Sequence, residues 1–562
     1  MKKIFLISFV MVVGFMLSCS DDFLELKPKA SNSIATFYSE NGVNAMLTGA
    51  YSILDGHYDN GWAFNQWGGS VSNWVWGAVA SDDAYKGSES SDQQTINDIE
   101  QFNVTSSNEY LDSKWRFMYE GVSRCNAILK VLSEVTDEQV PADKKVWFEA
   151  QTRVLRAHFY FELTRVFGKV PYIDETTEAP ETVPNDHLLF SEIEADLTAA
   201  IPNLKHREAE KARITKWGAT AYLAKVYMFQ NKHGQAKPLL ESIITQGGYE
   251  LMDNYQDNYM IATNNNKESI LEVQYAVNDG TDGSLNGGWG DALNFPSGGQ
   301  STCCGFFQPT RNLANAFKVD ATTGLPLFGT YNIVGQDVGG VEYGGAVDPR
   351  LDHTIGRAGV PFLDWGNMDP AWVRDPSNGG PFLYKKTLFL ASEKGSKSTE
   401  TGWATGVNAN NYRMIRLAHV YLWRAECAVA ENDLGTAKDY VNLVRNRAKG
   451  STVVEFSDGT PAANYKVEPY TGFANEEEAL RAIQWETRLE FGMEGHRFFD
   501  LVRWGIVADV MQNYLNTEGL RQSYLVGKTF KAGTNEIWPI PQTQIDLSSV
   551  DGSSSLTQNT GY

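Results

Sequence analysis

Apolar residues recur at helical spacing through most of this chain and lose that rhythm in two places. Residues 39–54 read as an amphipathic helix, and 110–135 and 143–167 place apolar side chains at i, i+3 and i+4. Further helices are expected over 187–204 and 215–247. The second long run ends at Phe167-Gly168, and Pro171 forces an extended exit, because glycine closes a helix and proline cannot continue it. Between Gly56 and Gly87, and again from Ile270 to about Gly406, periodicity dissolves into Gly, Asn, Ser and Pro, with β-like runs at 270–275 and 382–387. So long an irregular stretch inside a folded chain points to function rather than to a linker.

The helical pattern also repeats. Tyr222, Ala224 and Tyr227 precede a turn expected at His233-Gly234 and then Ala236; Trp423 and Ala425 precede a turn at Asp433-Leu434-Gly435 and then Ala437. Twelve positions separate the alanines in both copies, 224 to 236 and 425 to 437. Small residues let neighbouring helices approach, so the echo predicts stacked pairs of the tetratricopeptide kind. Near the C-terminus Asn475 and Glu478 form a capping-box pattern; Leu480, Ile483 and Thr487 follow at helical spacing until Gly492 and Gly495 break the run. A second helix starts near His496, with Phe498, Leu501 and Val502 on one side. Glu486, Arg488, Glu490, Glu494, Arg497, Asp500 and Arg503 crowd the same stretch beside large aromatics. Such charges are costly to bury unless paired, so an ion-paired helical hairpin clamped into a core is expected, with Arg488, Arg497 and Arg503 neutralising the glutamates.

Composition sharpens this. With 562 residues the chain can bury a large core, and its formal net charge of −21 makes nucleic acid or an anionic membrane surface a poor partner. Lys2 and Lys3 precede an apolar run over 4–17, too short to span a bilayer comfortably, that ends at Ser18 and Cys19. Residues 1–18 therefore read as a signal peptide, and Cys19 looks like the acylated cysteine of a bacterial lipoprotein, although Met16 stands where Leu is usual. A simple secretory signal is the alternative. Ser20, Asp21 and Asp22 follow in a tether over 19–30, through which acyl chains of the palmitate type would attach the protein without a spanning helix. Cys125 and Cys427 sit in helical patterns as buried thiols, while Cys303 and Cys304 adjoin in a Gly-rich loop, either as a vicinal disulfide or as two reduced thiols. No Cys or His spacing suggests a metal, and no cofactor motif appears.

Four stretches together resemble the SusD/RagB family of glycan-binding outer-membrane lipoproteins. They are QWETRLEFGMEGHRFFDLVRWG at 484–505, RVLRAHFYFELTRVFGKVPYI at 153–173, EIWPIP at 536–541, and the terminal LTQNTGY, in which Thr560 replaces the family's usual proline. The resemblance implies a mainly α fold, with tetratricopeptide-like helical pairs packed against an irregular, loop-rich subdomain with short strands. On that reading residues 31–562 form one domain, its helical scaffold at about 31–55, 105–250 and 410–510 and its glycan-facing part at about 56–104 and 270–406. It further implies attachment to the outer membrane through lipid, facing the cell exterior. There the protein would capture oligo- or polysaccharide for a SusC-like TonB-dependent transporter. The acidic tether resembles the signal that exports such lipoproteins to the surface, and the Ser81-Asp82-Asp83 segment falls where the family's glycan site lies nearby.

Sugar rings have apolar C–H faces that pack on aromatic rings, and hydroxyls that need Asp, Asn or Arg partners. Trp62, Trp67, Trp74, Trp76, Asp82, Asp83, Trp289, Cys303, Cys304, Phe306 and Arg374 are accordingly the candidate glycan contacts. For the first cluster the alternative is a loop plugged into the core by its tryptophans. The negative charge favours a neutral glycan. Glu486 and Glu490 share a helix face, as a hydrolase pair could, but arginines crowd them and a catalytic acid needs a raised pKa. With no nucleophile or phosphate-loop motif either, the chain reads as a binder and not an enzyme. A helical-repeat scaffold that binds protein or peptide, and less readily a secreted glycosidase, are the rival readings.

Overall fold

The computed structural model describes residues 34–56, 66–281, 284–400, 406–550 and 552–562. The signal sequence, Cys19, Trp62 and Trp403 lie outside them. Helices dominate: α1 (Glu40–Tyr51), α2 (Glu109–Glu134), α3 (Ala142–Phe167), α4 (Phe190–Ala200), α5 (Lys216–Phe229), α6 (His233–Gln246), α7 (Leu417–Ala430), α8 (Leu434–Gly450), α9 (Glu476–Phe491) and α10 (Arg497–Arg503). Ser39, Asn108, Thr215 and Asn475 each cap a helix by accepting a backbone N–H through the side-chain oxygen. Gly168 ends α3 with φ 73°, and Asn559, in the terminal segment, donates to the Phe167 and Trp538 carbonyls. The terminal segment thus closes a helix begun far away in sequence.

The helix pairs are stacked as their alanines imply. Ala224, Ala236, Ala425 and Ala437 are fully buried, and α6 of the first pair packs on α7 of the second. The two turns match in backbone conformation and hydrogen bonding, and begin two residues before His233 in the first copy and one before Asp433 in the second. Asn231 and Asn432, each seven positions after the first alanine, take the left-handed conformation (φ 56° and 57°), which asparagine tolerates. Lys232 N–H then donates to Tyr227 O at 2.9 Å, and Asp433 N–H to Ala428 O at 2.8 Å. Residues 412–416, expected to open a helix, instead form a strand. The longest strands are β1 (Ala84–Gly87), β2 (Ser269–Val273), β3 (Phe306–Pro309) and β4 (Tyr412–Arg416), paired antiparallel as β1–β3 and β2–β4. Pairing with β2 wins there over helical pattern, and Arg416 becomes the extended N-cap of α7.

The charged hairpin of α9 and α10 lies in the core, as expected, but its glutamates are not paired with the neighbouring arginines. Glu486 accepts from Arg350 at 2.6 Å and from Arg445 at 2.8 Å. Glu490 binds Arg350 at 3.0 Å together with Arg416 and Arg447, and Glu494 binds Lys386 at 2.8 Å and Arg416 at 3.1 Å. Of the expected neutralisers, Arg488 reaches Asp83 at 2.9 Å and Asp82 at 3.1 Å, Arg497 reaches Asp82 at 2.8 Å, and Arg503 binds Glu426 and Asp500. Apart from Arg503 with Asp500, one turn away on α10, these pairs join guanidiniums to carboxylates that the fold brings to them from other segments.

Candidate functional site

The first tryptophan cluster is structural. Trp74 and Trp76 are fully buried on a π-helical turn at Trp74–Val79, and their indole N–H groups donate to Gly290 O and Gly68 O. Trp67 is buried as well, Trp76 meets Trp538 edge-on at 5.5 Å, and Phe306 packs buried against Trp74 at 6.2 Å. Asp82 and Asp83 are only 2% and 1% exposed. Burial opposes ionisation at both, and at Asp82 the Arg488 and Arg497 guanidiniums outweigh it and hold the carboxyl below its usual range. These side chains, expected to meet sugar, therefore have no free face in this structure: their aromatic area fills the core and their carboxylates tie β1 to α9 and α10. Gly77 shows how tight the contact is, since a Cβ there would stand 1.8 Å from Gly495 O.

What remains accessible gathers on residues 284–305 and 362–374. Trp289 is half-buried among Ala292, Val407 and Val277, its indole N–H donating to Ser284 O at 3.0 Å. Cys303 and Cys304 are joined as a vicinal disulfide, Cys303 half-buried and Cys304 buried, directly before β3. Trp372, not among the expected contacts, is half-buried on a turn opened by Pro370 and meets Phe362 edge-on (5.8 Å) and Trp365 at a tilt (6.1 Å). Two glycines let the disulfide loop lie on these rings. A Cβ on Gly298 would stand 2.8 Å from Trp372, and one on Gly299, at φ 70°, would meet Trp365 at 3.0 Å and Trp372 at 3.1 Å. Ser297 fixes the other end by donating through N–H and Oγ to Trp372 O, each at 3.2 Å.

Arg374 is the exposed charged member of this face. Its guanidinium bonds Glu89 at 3.1 Å, Asp92 at 2.9 Å, Ser88 Oγ at 3.0 Å and Cys304 O at 3.4 Å. It thereby ties the disulfide to the turn after β1, where Ser88 N–H also donates to Gly305 O at 2.6 Å. The arrangement supplies apolar ring surface, a sulfur bridge and a multidentate donor on loops fixed to a rigid ribbon, as a preformed ligand surface requires. Trp372 is absent from the sequence-derived candidates, although it is a tryptophan presented by a Pro-opened turn two residues before an arginine. Among the described residues no cluster of His, Cys, Asp and Glu is arranged to hold a metal.

Glu490 and Glu494 are held ionised, the wrong state for a general acid. Burial alone would raise Glu494, but Arg416 and Lys386 hold it down at about 2; three arginines likewise overcome burial at Glu490 and keep it well below the usual range.

Comparison with known proteins points one way. Residues 267–562 match the model described as the SusD family, and residues 22–228 match one described as starch-binding associating with outer membrane. A SusD-like protein of Bacteroides ovatus is 25% identical, across 92% of this chain and 86% of its own. SusD-like protein P25 of Formosa agariphila is 23% identical over 99% of both chains. Among solved structures, a laminarin-binding SusD-like protein superposes with TM-score 0.67 at 25% identity, covering 93% of this chain and 100% of that one. A SusD-like protein of Bacteroides fragilis gives 0.71 at 21% identity, covering 95% and 99%.

Proposed function

The chain belongs to the SusD family, and on that premise we propose that it is a non-catalytic, cell-surface glycan-binding lipoprotein. It presents oligosaccharide to a SusC-like TonB-dependent transporter in the outer membrane. The observation that carries the reading is the half-exposed Trp372 laid against the Gly298-Gly299 loop, beside the Cys303–Cys304 disulfide and Arg374. A ring held on both sides loses little entropy when a pyranose face packs on it. The net charge of −21 supports a neutral glycan, and the laminarin-binding relative makes a neutral glucan of that kind the first choice. Cys19 carries the lipid; no helix among the described residues is long and apolar enough to cross a membrane.

Calorimetric titration of protein lacking residues 1–19, against laminarin, other neutral glucans and acidic glycans, tests this. Binding to a neutral glucan that Trp372→Ala weakens sustains it; binding that the change leaves unaltered moves the site elsewhere. Intact mass of the full chain from membranes, with and without Cys19→Ser, reads the lipid, and co-purification reads the transporter. One set of observations favours a second reading, a peptide-binding helical scaffold. Trp67, Trp74 and Trp76 are consumed by the core, and a groove of about 410 Å³ runs between Tyr119, Pro171, Val183 and Leu556, with the exposed Leu547 on its rim. Silence across the whole glycan panel would select it.

A further inference from the structure

Five helices of the scaffold, α3, α5, α7, α9 and α10, converge on an internal cavity that leaves about 30 Å³ for water-sized occupants, walled on its apolar side by Phe161, Phe229, Trp423, Phe491 and Phe499. That is more than the roughly 10–15 Å³ a single water needs. Its polar lining is dominated by donors. Arg165 Nε, His419 Nε2 and His496 Nε2 are buried with no hydrogen-bond partner among the described residues. His419 Nδ1 accepts the Arg416 N–H at 3.2 Å, so the neutral ring carries its proton on Nε2, and burial keeps that ring neutral. The Lys225 ammonium also lines the cavity; it contacts the Tyr222 ring at 5.7 Å and forms no ion pair or hydrogen bond with a described residue.

The charges do not cancel. Lys114 and Arg165 share Glu162, and Arg503 is bound to Glu426 and Asp500. With Lys225 that makes four cations against three anions. Lys225 is half-buried and unpaired among the described residues, and desolvation drags its ammonium down to about 7. Water would compete for the cavity, because Asp500 lines it and a carboxylate that accepts one bond from Arg503, at 2.7 Å, retains acceptor sites for a water's hydrogens. A monovalent anion only accepts.

We infer that this cavity is a binding site for a small inorganic anion of the halide class, held by Lys225, the His419 Nε2–H and Arg165 at the junction of the stacked helix pairs with the charged hairpin. The anion neutralises the surplus cation and satisfies donors from three helices at once. The site is separate from the glycan face and stands whether or not glycan binding does.

The test uses the unaltered protein crystallised in bromide in place of chloride, with diffraction data at the bromine absorption edge. An anomalous peak in the cavity beside Lys225 and His419 is expected; water-like density without anomalous signal overturns the proposal. In solution, replacing gluconate by chloride or bromide at constant ionic strength should raise the thermal midpoint by on the order of 1 °C for a chain of this size once halide exceeds its Kd about tenfold. Lys225→Met keeps the side-chain volume and should lose that dependence, whereas Lys237→Met, at an exposed ion pair, should keep it. A halide response equal in both variants would refute the assignment of Lys225.

Discussion

The charged hairpin and the disulfide face solve opposite problems. In the hairpin, Glu486 and Glu490 are fully buried and each carboxylate is held by more than one guanidinium, with partners as remote as Arg350, 136 positions from Glu486. On the face, Trp289, Cys303 and Trp372 stay half-exposed, and glycines and backbone hydrogen bonds hold the loops beneath them. Charge inside a core demands complete pairing, so that network locks the fold. A ring surface demands only rigidity, so the loops can vary in what they present without touching the scaffold. The C-terminal motif that carries the family resemblance therefore belongs to the part that fixes architecture, and the proposed ligand face lies outside it.

That contrast breaks most visibly if the network is opened. Glu490→Gln leaves Arg350, Arg416 and Arg447 short of a charge, and should cost about 3–5 kcal/mol, a fall of a few degrees in the thermal midpoint. Protein that still folds should bind glycan with unchanged affinity, and a weakened affinity would tie the two regions together. Acid does the same reversibly. Glu494 is held at about 2 against an ordinary 4.5, so it contributes stability that is complete above about pH 4.5 and lost as pH falls through 2. The shift corresponds to about 3 kcal/mol, and Glu490 acts in the same direction. Thermal midpoints measured from pH 5 to pH 2 should drop steadily, and Glu494→Gln should flatten the curve.

Sequence disclosed the two regions unequally, for a physical reason. Helical periodicity and the Ala224/Ala236 and Ala425/Ala437 echo are local signals, so the scaffold was legible, and the charged hairpin could be recognised as buried from its own aromatics. Which arginine meets which glutamate is a property of the closed fold. Nothing near Glu490 announces Arg447, or frees Arg488 to cross to Asp83. Tryptophans were ambiguous in the same way: Trp74 and Trp372 both lie in Gly-rich irregular sequence, yet one fills the core and the other caps a loop. The distinguishing local features, the Gly298-Gly299 pair and the Pro370 turn, mean little until the fold brings them together.

The face itself is sharpened by Trp372→Ala. Removing one stacking ring should weaken a neutral glucan by about 1–3 kcal/mol, roughly 5- to 150-fold in Kd, a size of loss that carbohydrate–aromatic contact shares with other ring-anchored interfaces. Half-burial limits the effect on stability, so the thermal midpoint should move far less than with Glu490→Gln. A matched loss of both would make Trp372 a core residue and return the binding surface to Trp289.

Arg374 offers the finest test, because it belongs to both descriptions: an ion pair, yet an exposed one. Its bonds to Glu89 and Asp92 are solvent-screened and should contribute only about 0.2–1 kcal/mol to stability, decreasing with salt. Its contact with Cys304 O, by contrast, fixes the disulfide against the turn after β1. Arg374→Ala should therefore leave the thermal midpoint nearly unchanged while weakening glycan binding a few-fold, through a looser loop. Arg374→Lys restores the charge but not the planar fork, and should recover stability without recovering affinity. If Arg374→Ala instead costs more than about tenfold in affinity, the loss matches a charge-assisted hydrogen bond rather than loop mobility, and the guanidinium itself touches the sugar. The two sizes of effect separate a residue that holds the face from one that forms it.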